Sequence, residues 1–567
     1  MCALKKEKGR IPYSVSNFRA LKEEGLFYVD KTMYLEKLEN LSKKYVVFLR
    51  PRRFGKSLFS SMLLNYYDRN NAGNFDGIFG DTYVGKNPTV EANSYYVLKF
   101  NFSGLSSESS ERLEKSFLLK TRGYLRNFVE RYNLDVELNF DASDASDVLA
   151  DFFDQIEDKL DGKIYVIIDE YDHFANNFLH NKELFREITG KGGFVRSWYE
   201  VLKEYTESVI GRMFITGVSP ITLDSLTSGF NIVTNVTRNA DFNEMMGFNL
   251  DEVEELVKAV GVPESENAID IMRENYNGYL FDEEATNRVY NSNLVLYYLA
   301  DYEDFGKAPR EIIDSNIRSD YRRLAAMFDL YENDEKKEKI IVDIMTGKAL
   351  ATEILSIFEL GFEFDRRHFL SLLYYLGLLT VDKVDEFGAL QVRVPNLVIK
   401  DVYSEYYHNY LKNMGEIRLD DDDVEEAVKE LARYNNIEPL IQIMSKYLSG
   451  LSNRDYRWIN ETTIKLLFAR SLSLLNVYNV KTEYETGGKF VDLALFSNLD
   501  FASSVIIEFK YIKKSDYSEK LFEKLKVDAI NQIKDYAQTE EMRNIEDLRK
   551  YVVIFSYNEC VYFDEIV

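Results

Sequence analysis

Cysteine is nearly absent: Cys2 and Cys560 are the two thiols in 567 residues. Two thiols build neither a disulfide framework nor a cysteine-based zinc site, and a reducing, cytoplasmic compartment is expected. Proline is scarce at 8, with 28 glycines, which excludes collagen-like and proline-rich linker architectures. No apolar run is long enough to cross a bilayer, and the polar, lysine-rich stretch 1–10 is not followed by the apolar segment of a secretory signal. No membrane association is expected. Positive charge is in deficit: 70 Lys and Arg stand against 95 Asp and Glu, a net charge of −25. Such a chain does not attract nucleic acid through its overall field. A nucleic-acid role needs a local basic groove or a bound divalent ion.

What is present is the composition of a folded protein, 46% hydrophobic and 29% charged, with 40 Tyr and 38 Phe to fill several cores. Short β-rich apolar runs at 45–49, 95–102, 164–168 and 213–216 predict strands. Helical spacing at 113–132, 146–160 and 193–208 lies between them. Strands alternating with helices predict a wound α/β layer over 1–242. Asp30 or Thr32 is placed to cap a helix that follows. Residues 243–430 are mostly helical in pattern, and the run Asp420 to Asp423 predicts a solvated helix start beside a boundary. Residues 431–567 predict the order α-β-β-β-α-β: helix 461–475, strands 480–485, 490–496 and 504–511, helix 521–538 and strand 551–556.

The eight residues Arg50-Pro51-Arg52-Arg53-Phe54-Gly55-Lys56-Ser57 fit a phosphate-binding loop, G-x-x-x-x-G-K-[ST], except that Arg50 replaces the first glycine. Gly55 lets backbone N–H groups close around a phosphate at a helix N-terminus. Lys56 then reaches the β- and γ-phosphates, and the Ser57 hydroxyl ligates Mg²⁺. Arg52 and Arg53 add positive charge. A lone Gly-Lys-Ser arises by chance, but here an apolar strand precedes it and a helical pattern follows. A second element, Ile164 to Glu170, is an apolar strand ending in two carboxylates. Asp169 is suited to the Mg²⁺ shell and Glu170 to orienting or deprotonating the attacking water. Thr216, ending a further apolar strand, is the candidate sensor of the γ-phosphate. Arg50 leaves binding without hydrolysis open.

A second constellation lies near the C-terminus. Asp492, after Gly487-Gly488-Lys489, and Glu508, at the end of Val505-Ile506-Ile507, are hard oxygen donors on apolar strands. Buried charge of this kind is costly unless paired or metal-bound. Glu508 and Lys510 are two apart and so share a face. Lys510 is suited to position water or to stabilise charge building on a phosphate, and Glu461 to complete the cluster from the preceding helix. Gln532 and Tyr536 share a helix face that would line the site. The plain alternative is a Glu–Lys ion pair at a strand edge. Lysines 510, 513, 514, 520, 524 and 526 form a local basic cluster suited to a phosphate backbone, or simply to a solvated face.

The block Ile11-Pro12-Tyr13, Tyr28-Val29-Asp30-Lys31-Thr32, the loop at 50–57 and Ile168-Asp169-Glu170-Tyr171-Asp172 resembles the AAA-ATPase-like proteins of gut and anaerobic bacteria. Those proteins commonly carry a C-terminal PD-(D/E)XK nuclease domain. Asn460-Glu461, Glu483, Gly487-Gly488-Lys489, Asp492, Glu508-Phe509-Lys510 and Gln532 are similar to that domain. Arg-Arg-Phe-Gly-Lys-Ser is a habit of the family, so Arg50 departs from the general loop but not from the family. Lys489 stands where the family usually has Arg. The resemblance implies a P-loop NTPase fold of the AAA-like class, a helical lid or linker, and a restriction-endonuclease-like α/β domain. It implies ATP and Mg²⁺ as cofactors, with Mn²⁺ an alternative at the nuclease site. It also implies nucleic acid as partner, DNA before RNA, and leaves a homo-oligomer open. Defence against mobile elements is a role commonly guessed for such proteins. The rival expectation is an ATP-dependent switch or scaffold whose nuclease-like domain binds without cleaving.

Overall fold

The computed structural model describes residues 10–567 apart from 106–108, 140–141, 174–187, 189–192, 221–231, 315, 321–327, 329–330, 332–333, 346, 359–363, 415–418, 452–455, 457–458 and 476. The chain divides into two compact units, Met1–Asp334 with Ala349–Ile399, and Glu335–Lys348 with Lys400–Val567.

The first unit is built on five parallel strands: β1 (Tyr45–Leu49), β2 (Tyr96–Asn101), β3 (Ile164–Asp169), β4 (Ile210–Gly217) and β5 (Thr234–Asn235). Their order across the sheet is β2-β3-β4-β1-β5. Strand β4 therefore lies between β1 and β3, pairing Tyr45 with Met213 on one side and Val166 with Met213 on the other. A parallel sheet covered on both faces needs continuous apolar strands. Accordingly all of β3, and β1 from Val46 onward, is buried.

Helix Phe194–Glu204 buries Phe194, Val195, Trp198, Tyr199 and Leu202, one stripe at helical spacing. Trp198 is wholly buried and meets Phe100 edge-on at 4.9 Å between ring centroids, and Phe117 of helix Ser110–Tyr132 at 5.5 Å. These contacts fasten two helices to β2. Thr32 sits at the N-cap of helix Met33–Glu39, but its side chain makes no capping bond. Its hydroxyl and its N–H both donate to Asp30, at 2.7 and 2.9 Å, so Asp30 holds the turn before the helix rather than the helix itself.

The stretch with mostly helical periodicity does contain helices, among them Leu250–Val260, Ser292–Phe305 and Arg366–Tyr375. Parts of it, 321–327 and 359–363 among them, lie outside the described residues. It also holds a small antiparallel sheet of order β6-β8-β7, from β6 (Leu350–Ala351), β7 (Thr380–Val384) and β8 (Leu390–Arg393). These strands are short and half exposed, so they carry little of the apolar alternation that announces a strand.

In the second unit Asp420 caps helix Asp421–Tyr434, accepting from the Asp422 N–H at 3.0 Å. The acidic run Asp421 to Asp423 forms its first turn, where negative charge suits the helix dipole. A mixed sheet of order β13-β12-β11-β10-β9 follows helix Glu461–Leu472. Its strands are β9 (Tyr478–Thr486), β10 (Lys489–Ser497), β11 (Ser504–Ile512), β12 (Leu548–Ser556) and β13 (Glu559–Glu565). Strands β11 and β12 are parallel and so need a crossover, supplied by helix Glu519–Tyr536. That helix buries Ala529, Ile533 and Tyr536 with Val491, Ile506 and Val552 of the sheet. The final hairpin strand β13 adds one strand to the predicted order. Its residues are mostly half exposed, which hides it from an apolar-run search.

Candidate functional site

Two polar centres stand out, one in each unit. In the first, β1 ends at Leu49 and the chain turns through 50–55 into helix Lys56–Tyr67. The turn needs left-handed backbone at Arg53 (φ +69°) and Gly55 (φ +93°), the latter being the helix N-cap. A Cβ at Gly55 would meet only Ser292 Oγ, at 3.9 Å, so glycine is required by backbone conformation and not by crowding.

Arg50 does not face this loop's interior. It is 1% exposed, and its guanidinium donates to the carbonyls of Leu49, Thr237 and Phe242, each at 2.9 Å. The rings of Phe48 and Phe281 flank it at 4.1 and 4.0 Å. Burial lowers its pKa to about 9, against the opposing pull of Tyr374, Tyr34 and Asp282. Arg50 is thus a strut tying the end of β1 to segment 237–242.

Lys56 is buried and donates to Pro51 O at 2.9 Å. Burial lowers its pKa, while Glu170, Asp169 and Asp172 hold the charge in place. A cavity of about 840 Å³ is lined by Arg52, Arg53, Gly55, Lys56, Ser57 and Glu170, together with His173 and Phe248. Asp169, the last residue of β3, is fully buried, and its Oδ1 has no hydrogen-bond partner among the described residues. Burial raises its pKa; Lys99, the Ser57 hydroxyl and Lys56 draw it back. An orphaned, buried carboxylate oxygen beside a serine hydroxyl fits a magnesium ion. Glu170 takes a left-handed φ of +56°. Burial pushes its pKa up, but His173, Lys56 and Arg52 together bring it down to about 2, so it is a carboxylate at neutral pH.

The second centre lies where β9, β10 and β11 meet helix Glu461–Leu472. The β10–β11 ladder pairs Leu493 with Ile507 and stops short of Asp492 and Glu508. The β9–β10 ladder likewise skips Asp492 and Glu483, and Glu483 holds φ at +52°. Backbone pairing thus lapses where the carboxylates stand, and the positive φ stores strain there. Asp492 Oδ2 accepts the Phe509 N–H at 2.8 Å, and Oδ1 lies 2.6 Å from Lys465 Nζ. Lys465 also binds Glu483.

Glu508 is 2% exposed. Its Oε1 accepts from Lys510 Nζ at 2.7 Å, and its Oε2 is buried with no partner among the described residues. Burial, then the charge of Asp492, raises its pKa to about 8 against the pull of Lys510. Burial and Asp492 raise Glu461 too, and Lys510 lies 3.9 Å from it. Among the described residues, no three His, Cys, Asp or Glu side chains stand close enough together to hold a metal. Lysines stand between the carboxylates. The open Glu508 oxygen beside Asp492 nonetheless provides hard donors that fit a magnesium-type ion.

Residues 12–227 match the AAA-ATPase-like family, described as a predicted AAA-ATPase, and residues 459–565 match the PD-(D/E)XK nuclease superfamily. The chain joins an AAA-ATPase-like domain to a PD-(D/E)XK nuclease-superfamily domain. The two domains support an ATPase plus nuclease-like function. The chain is also similar to a protein of Azotobacter chroococcum mcd 1, described as an uncharacterized protein in the vnfD 5' region. The two are 25% identical over 411 residues, spanning 70% of this chain and 69% of that protein. Among the described residues no helix is long and apolar enough to cross a membrane.

The AAA-ATPase-like domain gathers Arg52, Arg53, Gly55, Lys56, Ser57 and Glu170 at one cavity, with the Asp169 carboxylate next to Lys56 and Ser57. Thr216 is not brought to that cavity. It is wholly buried, and its hydroxyl donates to Phe48 O at 2.8 Å, tying β4 to β1. Two further residues matter here: Asp172, which the sequence names only as part of a motif, and Asp320, which it does not single out. Asp172 accepts the N–H groups of Val218 and Ser219, at 3.1 and 2.7 Å, and so anchors the chain just beyond β4. Asp320 pairs with Arg52 at 3.3 Å and Arg53 at 2.9 Å. It comes from 268 residues beyond Arg52, and no local pattern announces it.

The nuclease-superfamily domain gathers Glu461, Asp492, Glu508 and Lys510. Tyr536 is buried, and after burial itself the charges of Glu508 and Asp492 raise its pKa; Gln532 is exposed. Lys465 was missed, although a lysine inside the apolar run Ile464 to Phe468 is a readable signal of a buried pair.

Proposed function

We propose that this protein binds ATP with Mg²⁺ at the loop 50–57 and couples the bound nucleotide to a metal-dependent nuclease acting on nucleic acid, DNA in the first instance. The observation that carries the ATP half is the convergence of Lys56, Ser57, Asp169 and Glu170 at one end of a parallel sheet whose β4 separates β1 from β3. That strand order supports a P-loop NTPase fold of the AAA-like class. Lys56 meets the β- and γ-phosphates, with Arg52 and Arg53 released from Asp320 to add charge. Mg²⁺, held by Ser57 and Asp169, supplies charge neutralisation when bound. Glu170, ionised at neutral pH, orients the attacking water and takes its proton.

In the nuclease half Asp492 and Glu508, with Glu461 as an accessory, hold a divalent ion, Mg²⁺ or Mn²⁺, that supplies Lewis-acid charge. Lys510 faces the phosphate as negative charge develops on it. We assign 1–242 as the ATPase core, 243–430 as a helical lid or linker, and 431–567 as the nuclease domain. One observation favours a second reading, a switch that binds nucleic acid without cutting it: lysines already neutralise much of the carboxylate centre. The deciding experiment is plasmid cleavage with Mg²⁺ or Mn²⁺, with and without ATP. Metal-dependent cutting by wild type, lost in Asp492→Ala, supports the nuclease. Absence of cutting under every condition, with DNA binding kept, supports the switch.

A further inference from the structure

The carboxylate centre has its own buried cation. Lys465 is 5% exposed, one turn along the helix from Glu461. Its ammonium binds Asp492 Oδ1 at 2.6 Å and also binds Glu483, which holds a left-handed φ within β9. Lys465 therefore bridges two carboxylates, which is the place a metal ion takes between two acidic ligands. The other side of Asp492 differs. There Glu508 offers a buried oxygen with no partner among the described residues, while its second oxygen is held by Lys510.

We propose that Lys465 is a permanent cation of this centre, standing where a second metal would sit, so that the domain takes a single divalent ion on the Glu508 side of Asp492. The inference rests on the metal-dependent reading of the site and adds its stoichiometry and a positioning residue.

Charge balance supports it. Glu461, Glu483, Asp492 and Glu508 interact with Lys465, Lys510 and Lys400, so four carboxylates face three ammonium groups. One net negative charge remains when all are ionised. One divalent ion leaves a single positive charge, which a phosphodiester cancels. A second ion would leave an excess of three positive charges before substrate arrives, in a largely desolvated site where like charges repel strongly. Lys465 is not a catalytic residue in this scheme. It fixes Asp492 from the far side, while the Phe509 N–H fixes its other oxygen.

The test is a count of bound Mn²⁺ on the nucleotide-free full-length protein, reading free Mn²⁺ by electron paramagnetic resonance. Wild type should bind one ion that Asp492→Ala loses. Lys465→Gln should keep that ion and gain a second, weaker one, and Lys465→Arg should return to one. The metal-free melting temperature of Lys465→Gln should fall, because two carboxylates lose their cation, and saturating Mn²⁺ should raise it more than in wild type. Two Asp492-dependent ions in wild type would overturn the one-metal inference while leaving the metal site standing, as would Lys465→Gln that still holds only one. No Asp492-dependent ion at all would instead remove the metal-site reading underneath. If Lys465→Gln does not fold, the counts for wild type and Lys465→Arg decide between one ion and two.

Discussion

Lys56 and Glu170 lie at the same cavity but perform separable tasks. Lys56→Ala removes a buried ammonium that meets phosphate, and charge-assisted bonds of this kind contribute roughly 1.5–3 kcal/mol. ATP affinity should fall about tenfold or more, which calorimetric titration of the folded variant reads directly. Glu170→Gln keeps size and removes the proton acceptor. ATP should still bind, while turnover slows by about 10²-fold or more; unchanged turnover in a phosphate-release assay would assign the water to another group. Glu508 gives a pH prediction. Its pKa in the folded protein is raised to about 8, so at neutral pH the metal-free native state holds a proton that the unfolded chain has released. This contribution to stability is fully present below the ordinary carboxylate pKa and is lost as pH rises through about 8. A divalent ion prefers the ionised form, so at pH 7 its binding should release up to about one proton. Calorimetry in buffers of different ionisation enthalpy should show that release, and Glu508→Gln should abolish it.

At the scale of elements, the junction after β1 depends on Arg50 more than on a loop glycine. Arg50→Gly would restore the general loop pattern, yet it would take the guanidinium donor from the carbonyls of Leu49 and Thr237, leave Phe242 O with only the Met245 N–H, and open a gap between Phe48 and Phe281. We expect a loss of roughly 2–4 kcal/mol, seen as a lower midpoint in urea unfolding of the first unit. A midpoint equal to wild type would mean that Arg50 supports nothing. The same residue shows what sequence can and cannot convey. Buried parallel strands announced themselves as apolar runs, so β1 and β3 were legible almost to the residue, as was the helix at 461. The candidate residues were legible by two routes: Lys56 through the loop pattern, and Asp169, Glu170, Asp492 and Glu508 because a carboxylate in or at the end of an apolar strand is costly. The role of Arg50 was not, since its partners at Thr237 and Phe242 are distant in sequence. Thr216 was read as facing the nucleotide, whereas its hydroxyl points across to β1. A strand end gives the residue type but not which side of the sheet its side chain takes. Asp320 and the short strands β6 to β8 escaped for a related reason: their partners are non-local or their burial is partial.

At the scale of the whole molecule, the two centres belong to two compact units, each with its own sheet and core. A substitution in one should therefore leave the other's binding chemistry intact. Asp492→Ala deletes the carboxylate that bonds both Lys465 and the Phe509 N–H, so metal occupancy and cleavage should both be lost. ATP affinity should stay within about twofold of wild type, because sites in separate units that share no partner behave additively. The converse need not be silent. If bound ATP controls the nuclease, Lys56→Ala should keep Mn²⁺ binding at the nuclease centre but lose the difference in cleavage between ATP-bound and ATP-free protein. Two measurements on two variants thus separate three arrangements. Loss of ATP binding in Asp492→Ala would show that the units do not fold independently. Cleavage that ignores ATP in wild type would make them neighbours without coupling. Cleavage that responds to ATP in wild type and not in Lys56→Ala would establish control of one unit by the other.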